Sequence, residues 1–222
     1  MSIFAKYVAA EGSYELTNLG YVALTVTMLL IFVLGFFLFR QKSNKKADTK
    51  QLVFSSMAIA IAMITSMIRL WRMPMGGSVT LFSMFFICLV GYLYGLGAGI
   101  TAGVSYGLLQ LIVDPYIISV PQMLIDYILA YGALGLSGVF NNRKHGLIKG
   151  YILGFFCRYF FAFLSGLIFF GSYAAEYNMS VPVYSILYNG AYLGAEAILT
   201  SIVLVLPAVS KSMSRIKRMA LE

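Results

Sequence analysis

Long apolar runs alternate along this chain with short polar or basic stretches. Apolar residues dominate 19–39, 52–70, 81–94, 98–113, 120–140, 147–171 and 187–209. A helix crosses a hydrocarbon core of about 30 Å with roughly 20 residues, so the pattern predicts seven transmembrane helices. The turn between 81–94 and 98–113 is so short that these two must be antiparallel neighbours. Basic residues collect after the first run (Arg40, Lys42, Lys45, Lys46, Lys50), after the fifth (Arg143, Lys144) and in the tail KSMSRIKR. By the positive-inside rule this puts the N-terminus outside and the C-terminus in the cytoplasm. Residues 1–18, with Lys6 against Glu11 and Glu15, read as an outer tail. The first run is too long for a signal-peptide core and is expected to persist.

Composition narrows the class. Of 222 residues 60% are hydrophobic and 11% charged, with a mean hydropathy of +0.86, more apolar surface than a soluble core could hide. The net charge of +8 sits in clusters flanking the apolar runs, which argues for a membrane surface and against nucleic acid. The two cysteines, Cys88 and Cys157, lie inside apolar runs, so neither a disulfide framework nor a zinc site is indicated. Without a Walker A sequence or a metal or cofactor motif, the chain cannot energise transport or carry out evident redox chemistry alone.

Polar residues inside the runs are the candidate chemistry. Asp126 falls within YIISVPQMLIDYILAY (116–131), about a turn and a half past Pro121, which suits a first helical turn. Tyr116, Tyr127 and Tyr131 accompany it. An intramembrane acid marks either a binding site, here for a flat polar-edged ligand, or a structural ion pair. Arg158 and Glu196 fall at similar depths in the sixth and seventh runs and are expected to pair. Gly95, Gly99, Gly103 and Gly107 recur every fourth residue, predicting a helical face that admits a close neighbour. GVSYG matches the nucleophile-elbow pattern at Ser105, but it lies mid-helix, and the chain's single histidine, His145, sits in a predicted cytoplasmic loop. The segments 72–80, 113–126 and 171–188 fall on the outer side, the last being long and aromatic, as lids over binding sites often are.

Four stretches, MPMGGSV (73–79), PQMLIDYILAYGALGLSG (121–138), RYFFAFLSGLIFFGSYA (158–174) and VYSILYNGAY (183–192), resemble the ThiT (YuaJ) family, the thiamine-specific S-components of energy-coupling factor (ECF) transporters. The resemblance implies an all-α membrane protein, a six-helix S-component bundle over 51–222, preceded in 1–50 by the tail, an extra transmembrane helix and a basic linker. It implies thiamine as ligand, no enzymatic activity, no cofactor, and as partners a transmembrane coupling subunit and two ATPase subunits. Carried over, the acid that grips the aminopyrimidine falls on Asp126 with Tyr127 beside it. Tyr116, Tyr184 and Asn189 match polar contacts. Phe170 stands where a stacking tryptophan can occur, Gly166 where the ligand approaches the backbone, and Ser78 where some members have tryptophan. The family histidine aligns with Ala162, which leaves a place for water or points to another ligand. The family's A-x-x-x-A docking face falls on Ala58 and Ala62. The rivals are an S-component for hydroxymethylpyrimidine or a B6 vitamer, and a small membrane enzyme using Ser105 or the Arg158–Glu196 pair.

Overall fold

In a computed structural model the residues described are 5–8, 13–23, 26, 27, 30 and 48–222. The first predicted span and the basic stretch after it lie largely outside them. At the N-terminus β1 (Ala5–Val8) and β2 (Ser13–Leu16) pair as an antiparallel hairpin.

The bundle begins at Asp48, whose side chain accepts the Lys50 amide and caps α1 (Thr49–Met67). The chain then turns into a second hairpin, β3 (Arg69–Arg72) against β4 (Ser78–Thr80), where the sequence pattern showed only an outer segment over 72–80. Its tip is closed by the Met73 amide donating to the Gly77 carbonyl, with Gly76 at φ +87°. Trp71 on β3 is 70% exposed. Next come α2 (Ser83–Tyr94) and α3 (Leu96–Val113), joined at Gly95, whose φ of +88° lets the chain reverse without an intervening loop. A loop over 114–119 leads to α4 (Val120–Phe140), continuous but not uniform: α-helical at first, π-helical over Leu124–Leu129, α-helical over Ala130–Ala133 and 3₁₀ over Leu134–Phe140. Then follow α5 (Gly146–Phe169), the short α6 (Gly171–Glu176), α7 (Val181–Val205) and α8 (Pro207–Leu221).

Among the described residues five helices, α1, α3, α4, α5 and α7, are long and apolar enough to cross a membrane. With α2 they form a six-helix bundle, an all-α multi-pass membrane fold. α2 is the innermost helix: Met84, Ile87, Cys88 and Val90 have no exposed surface. At twelve residues, about 18 Å, it cannot span the hydrocarbon core alone. The β3–β4 hairpin precedes it, and its non-helical backbone lines a protein-walled cavity.

The glycine face works as the spacing predicts at three of its four positions. A Cβ on Gly103 or Gly107 would run into the carbonyl oxygens of Tyr131 and Tyr127, and one on Gly99 would lie 2.7 Å from that of Gly135. α3 and α4 therefore meet backbone to backbone. Gly95 serves the reversal instead.

Three expectations need correction. Ala58 and Ala62 are 6% and 0% exposed, packed against α2 and α3, so their four-residue spacing joins helices within the bundle and offers no face to a separate partner. The seventh span starts at Val181, not 187, and most of the predicted outer loop 171–188 is helical, leaving a turn at 177–180 with Asn178 in the left-handed region. The basic tail is the amphipathic helix α8, broken from α7 at Leu206. Its Val209, Met213, Ile216 and Ala220 pack on the core while Lys211, Arg215 and Arg218 face out.

Candidate binding site

α3, α4, α5, α7 and the β3–β4 hairpin enclose a cavity of about 140 Å³, the scale of a space that holds one aromatic ring. All eight residues singled out for ligand contact, Asp126, Tyr127, Tyr116, Tyr184, Asn189, Phe170, Gly166 and Ser78, line it, as does Ala162. They come from three helices, two loops and a strand, so only the folded chain brings them together.

Asp126 lies in the π-helical turn of α4, where the Ala130 amide reaches back five residues to the Ile125 carbonyl. Such widened turns recur at functional sites because they re-aim one side chain within a helix. Its Oδ2 accepts from Gln122 Nε2 at 2.6 Å. The same amide group of Gln122 donates to the Tyr116 carbonyl at 3.1 Å, and its Oε1 accepts the Ile118 amide at 3.0 Å. Tyr127 spends its hydroxyl on the same loop, accepting the Tyr116 amide at 2.7 Å and donating to the Asp114 carbonyl at 3.2 Å. It offers the cavity a ring, not a free hydroxyl.

Aromatic residues roof the space. Tyr116 stacks on Phe170 with ring centres 6.1 Å apart, and its hydroxyl lies 3.4 Å from that of Tyr173. That hydrogen bond and burial push the Tyr116 hydroxyl up to about 12, so it stays protonated at neutral pH. Tyr177, in the turn before α7, and Tyr184, Tyr188 and Tyr192 along α7 follow one another with centroid separations of 5.5, 5.7 and 5.7 Å.

Two matched residues pack as well as line. Asn189 Nδ2 donates to the Ala162 carbonyl at 3.2 Å and the Ser185 carbonyl at 2.9 Å, and its Oδ1 accepts from Tyr192. The amide thus ties α7 to α5. At Gly166 the space a Cβ would need is held by Ser185 Oγ, so glycine is required there for helix approach.

Arg158 and Glu196 both reach the cavity but do not pair; among the described residues the one salt bridge is Arg69–Asp114, 2.5 Å, between the start of the hairpin and the loop after α3. Glu196 is taken by the start of α2: Thr80 Oγ1 at 2.5 Å, Ser83 Oγ at 3.1 Å and the Met84 amide at 3.0 Å. A carboxylate at a helix N-terminus meets unpaired N–H groups and the positive end of the helix dipole, which offsets much of its desolvation. Arg158 instead lies over the Tyr131 ring, 4.1 Å from its centre. By formal count the lining carries three carboxylates (Asp114, Asp126, Glu196) and two guanidiniums (Arg69, Arg158), an anionic lining in a basic protein. Ser105 lies mid-way along α3, outside the lining, and His145 precedes α5.

Gln122, Tyr188 and Tyr192 were missed by sequence reasoning. The signal was present as four-residue spacing: Gln122 to Asp126, and Tyr184 to Tyr188 to Tyr192.

Comparison with known proteins gives concordant findings. A family model described as "Thiamine transporter protein (Thia_YuaJ)" matches residues 52–215, from α1 into α8. A thiamine transporter ThiT of Bacillus subtilis is 33% identical over 168 residues, covering 69% of this chain and 85% of that protein. Another, from Lacticaseibacillus paracasei, is 30% identical over 126 residues, covering 49% of this chain and 62% of that protein. A solved structure of ThiT from Listeria monocytogenes superposes with a TM-score of 0.60 at 28% identity, covering 73% of this chain and 96% of that one.

Proposed function

Because the chain belongs to the thiamine transporter (Thia_YuaJ) family, we propose that it is the substrate-capture subunit of a vitamin importer, binding thiamine in the cavity around Asp126. The observation that carries this reading is the coincidence of an anionic, aromatic-roofed cavity with the family match. A cationic thiazolium gains from the rings by cation–π attraction, about 1–2 kcal/mol when desolvated. The aminopyrimidine edge meets the Asp126 carboxylate, which Gln122 holds through Oδ2.

The cavity opens outside and α8 lies in the cytoplasm. This orientation is supported by Arg143, Lys144, Lys149, Lys211, Arg215 and Arg218, all at the end of the bundle opposite the hairpin. Binding alone does no transport work, so the ligand is released inward when an ECF coupling subunit and two ATPase subunits act on this subunit. The reading needs neither a catalytic group nor a resident cofactor in this chain. Calorimetric titration of the purified protein with thiamine tests it: one-to-one saturable binding supports the assignment, and absence of binding removes it.

A further inference from the structure

We propose that Gln122 is a positioning residue that sets ligand specificity, holding Asp126 as a pure hydrogen-bond acceptor so that the site selects a 4-aminopyrimidine over its 4-oxo counterpart. This rests on the thiamine reading above and goes beyond it.

The side-chain amide of Gln122 is 1% exposed as part of its residue and has its partners on three sides. Oε1 must face Ile118, because the amide there is a donor at 3.0 Å. Nε2 must then face the Tyr116 carbonyl and Asp126 Oδ2, both acceptors. Turning the amide over would set Oε1 against a carbonyl and a carboxylate and Nε2 against an N–H, mismatching all three contacts. The orientation is therefore fixed by the loop that Gln122 itself holds, and Asp126 Oδ2 always receives an N–H.

The consequence for a ligand follows from donor and acceptor patterns. A carboxylate that only accepts matches an aminopyrimidinium edge, where the ring N–H and the exocyclic amine both donate. Against a 4-oxopyrimidine edge it meets one N–H donor and one carbonyl, and the second contact is oxygen against oxygen. A carboxyl carrying a proton would present a donor beside an acceptor, and would then match a neutral aminopyrimidine and an oxopyrimidine equally well. The N–H that Gln122 donates to Oδ2 stabilises the charged carboxylate over the carboxylic acid, and so disfavours that second pattern. Four residues separate the two side chains, and the π-helical turn starting at Leu124 brings Oδ2 to 2.6 Å of Nε2 while Asp126 still lines the cavity.

The test titrates wild type, Gln122→Met and Gln122→Glu with thiamine and with its 4-oxo analogue, oxythiamine. Met keeps the volume without hydrogen-bonding groups, and Glu keeps the shape but replaces the donor with an acceptor. Wild type is expected to favour thiamine by at least about tenfold, the scale of one charge-assisted contact. In both variants that ratio should fall toward one, with most of the change in thiamine affinity. An unchanged ratio, whether both affinities hold or both drop equally, overturns the inference and assigns Gln122 to loop packing alone. Thermal unfolding of each variant identifies one that does not fold, and the other then decides. Wild type that binds thiamine with an unchanged ratio in the variants removes only this inference, whereas wild type that binds no thiamine removes the proposed function and this inference together.

Discussion

The Tyr188 hydroxyl accepts the Gly77 amide at 2.9 Å and donates to the Pro74 carbonyl, so one side chain of α7 holds the tip of the β3–β4 hairpin over the cavity. Tyr188→Phe removes both bonds while keeping the ring. The expected loss is about 1–2 kcal/mol of local stability, from two bonds of ordinary net worth. Hydrogen exchange should show faster amides across 73–79, and thiamine should dissociate faster. Unchanged exchange there would mean that the hairpin is held by other contacts.

Asp126→Asn keeps the size of the side chain and removes its charge. Thiamine affinity should fall by about 1.5–3 kcal/mol, the contribution of a charge-assisted hydrogen bond. Calorimetry giving wild-type affinity for this variant would sink the role assigned to the carboxylate.

Ala162 lines the cavity one helical turn beyond Arg158, where the family resemblance places a histidine. Its carbonyl is already used by Asn189. Ala162→His adds a donor or acceptor there and is expected to tighten thiamine by about 0.5–1.5 kcal/mol. Weaker binding in a variant that folds normally would show that no room for an imidazole remains beside the ligand.

Ala62→Leu probes the corrected role of the small-residue face on α1. With Ala62 fully buried, three added carbons overpack the contact with α2, and a loss of about 1–3 kcal/mol is expected. Thiamine binding by the purified protein and uptake by cells should decline together, alongside a lower unfolding temperature. Uptake lost with stability and binding intact would restore the docking role for this face.

Much of the fold was legible because membrane burial writes itself into composition: five of the six bundle helices were placed within a few residues at most of their ends. α7 was the exception. Its first turns, VPVYSILYNG, carry proline, glycine, asparagine and tyrosines, which read as loop signals in isolation, yet Pro182 sits in the first turn where it costs nothing. Missing that start hid the register of Tyr184, Tyr188 and Tyr192. The hairpin was hidden for another reason: RLWR and SVT become strands only by pairing with each other, bridged by a glycine turn and held by Tyr188. Asp126 was visible because an acid at membrane depth is rare. Its anchor Gln122 was overlooked: the four-residue spacing to Asp126 was there to be read, but a glutamine beside Pro121 is ordinary by itself. The expected Arg158–Glu196 pair failed since matching depth does not determine which way two side chains face, and each found a nearer partner in Tyr131 and the start of α2.

Trp71 is the chain's single tryptophan, and it sits on β3, exposed, not in the cavity. Its emission is therefore an optical readout of the hairpin with no contribution from other indoles. A ligand that occupies the cavity without moving the hairpin should leave the spectrum in place, while one that draws the hairpin inward should shift it to the blue. Paired with calorimetry on the same sample, the chain carries its own means of separating occupancy from closure, with no label attached.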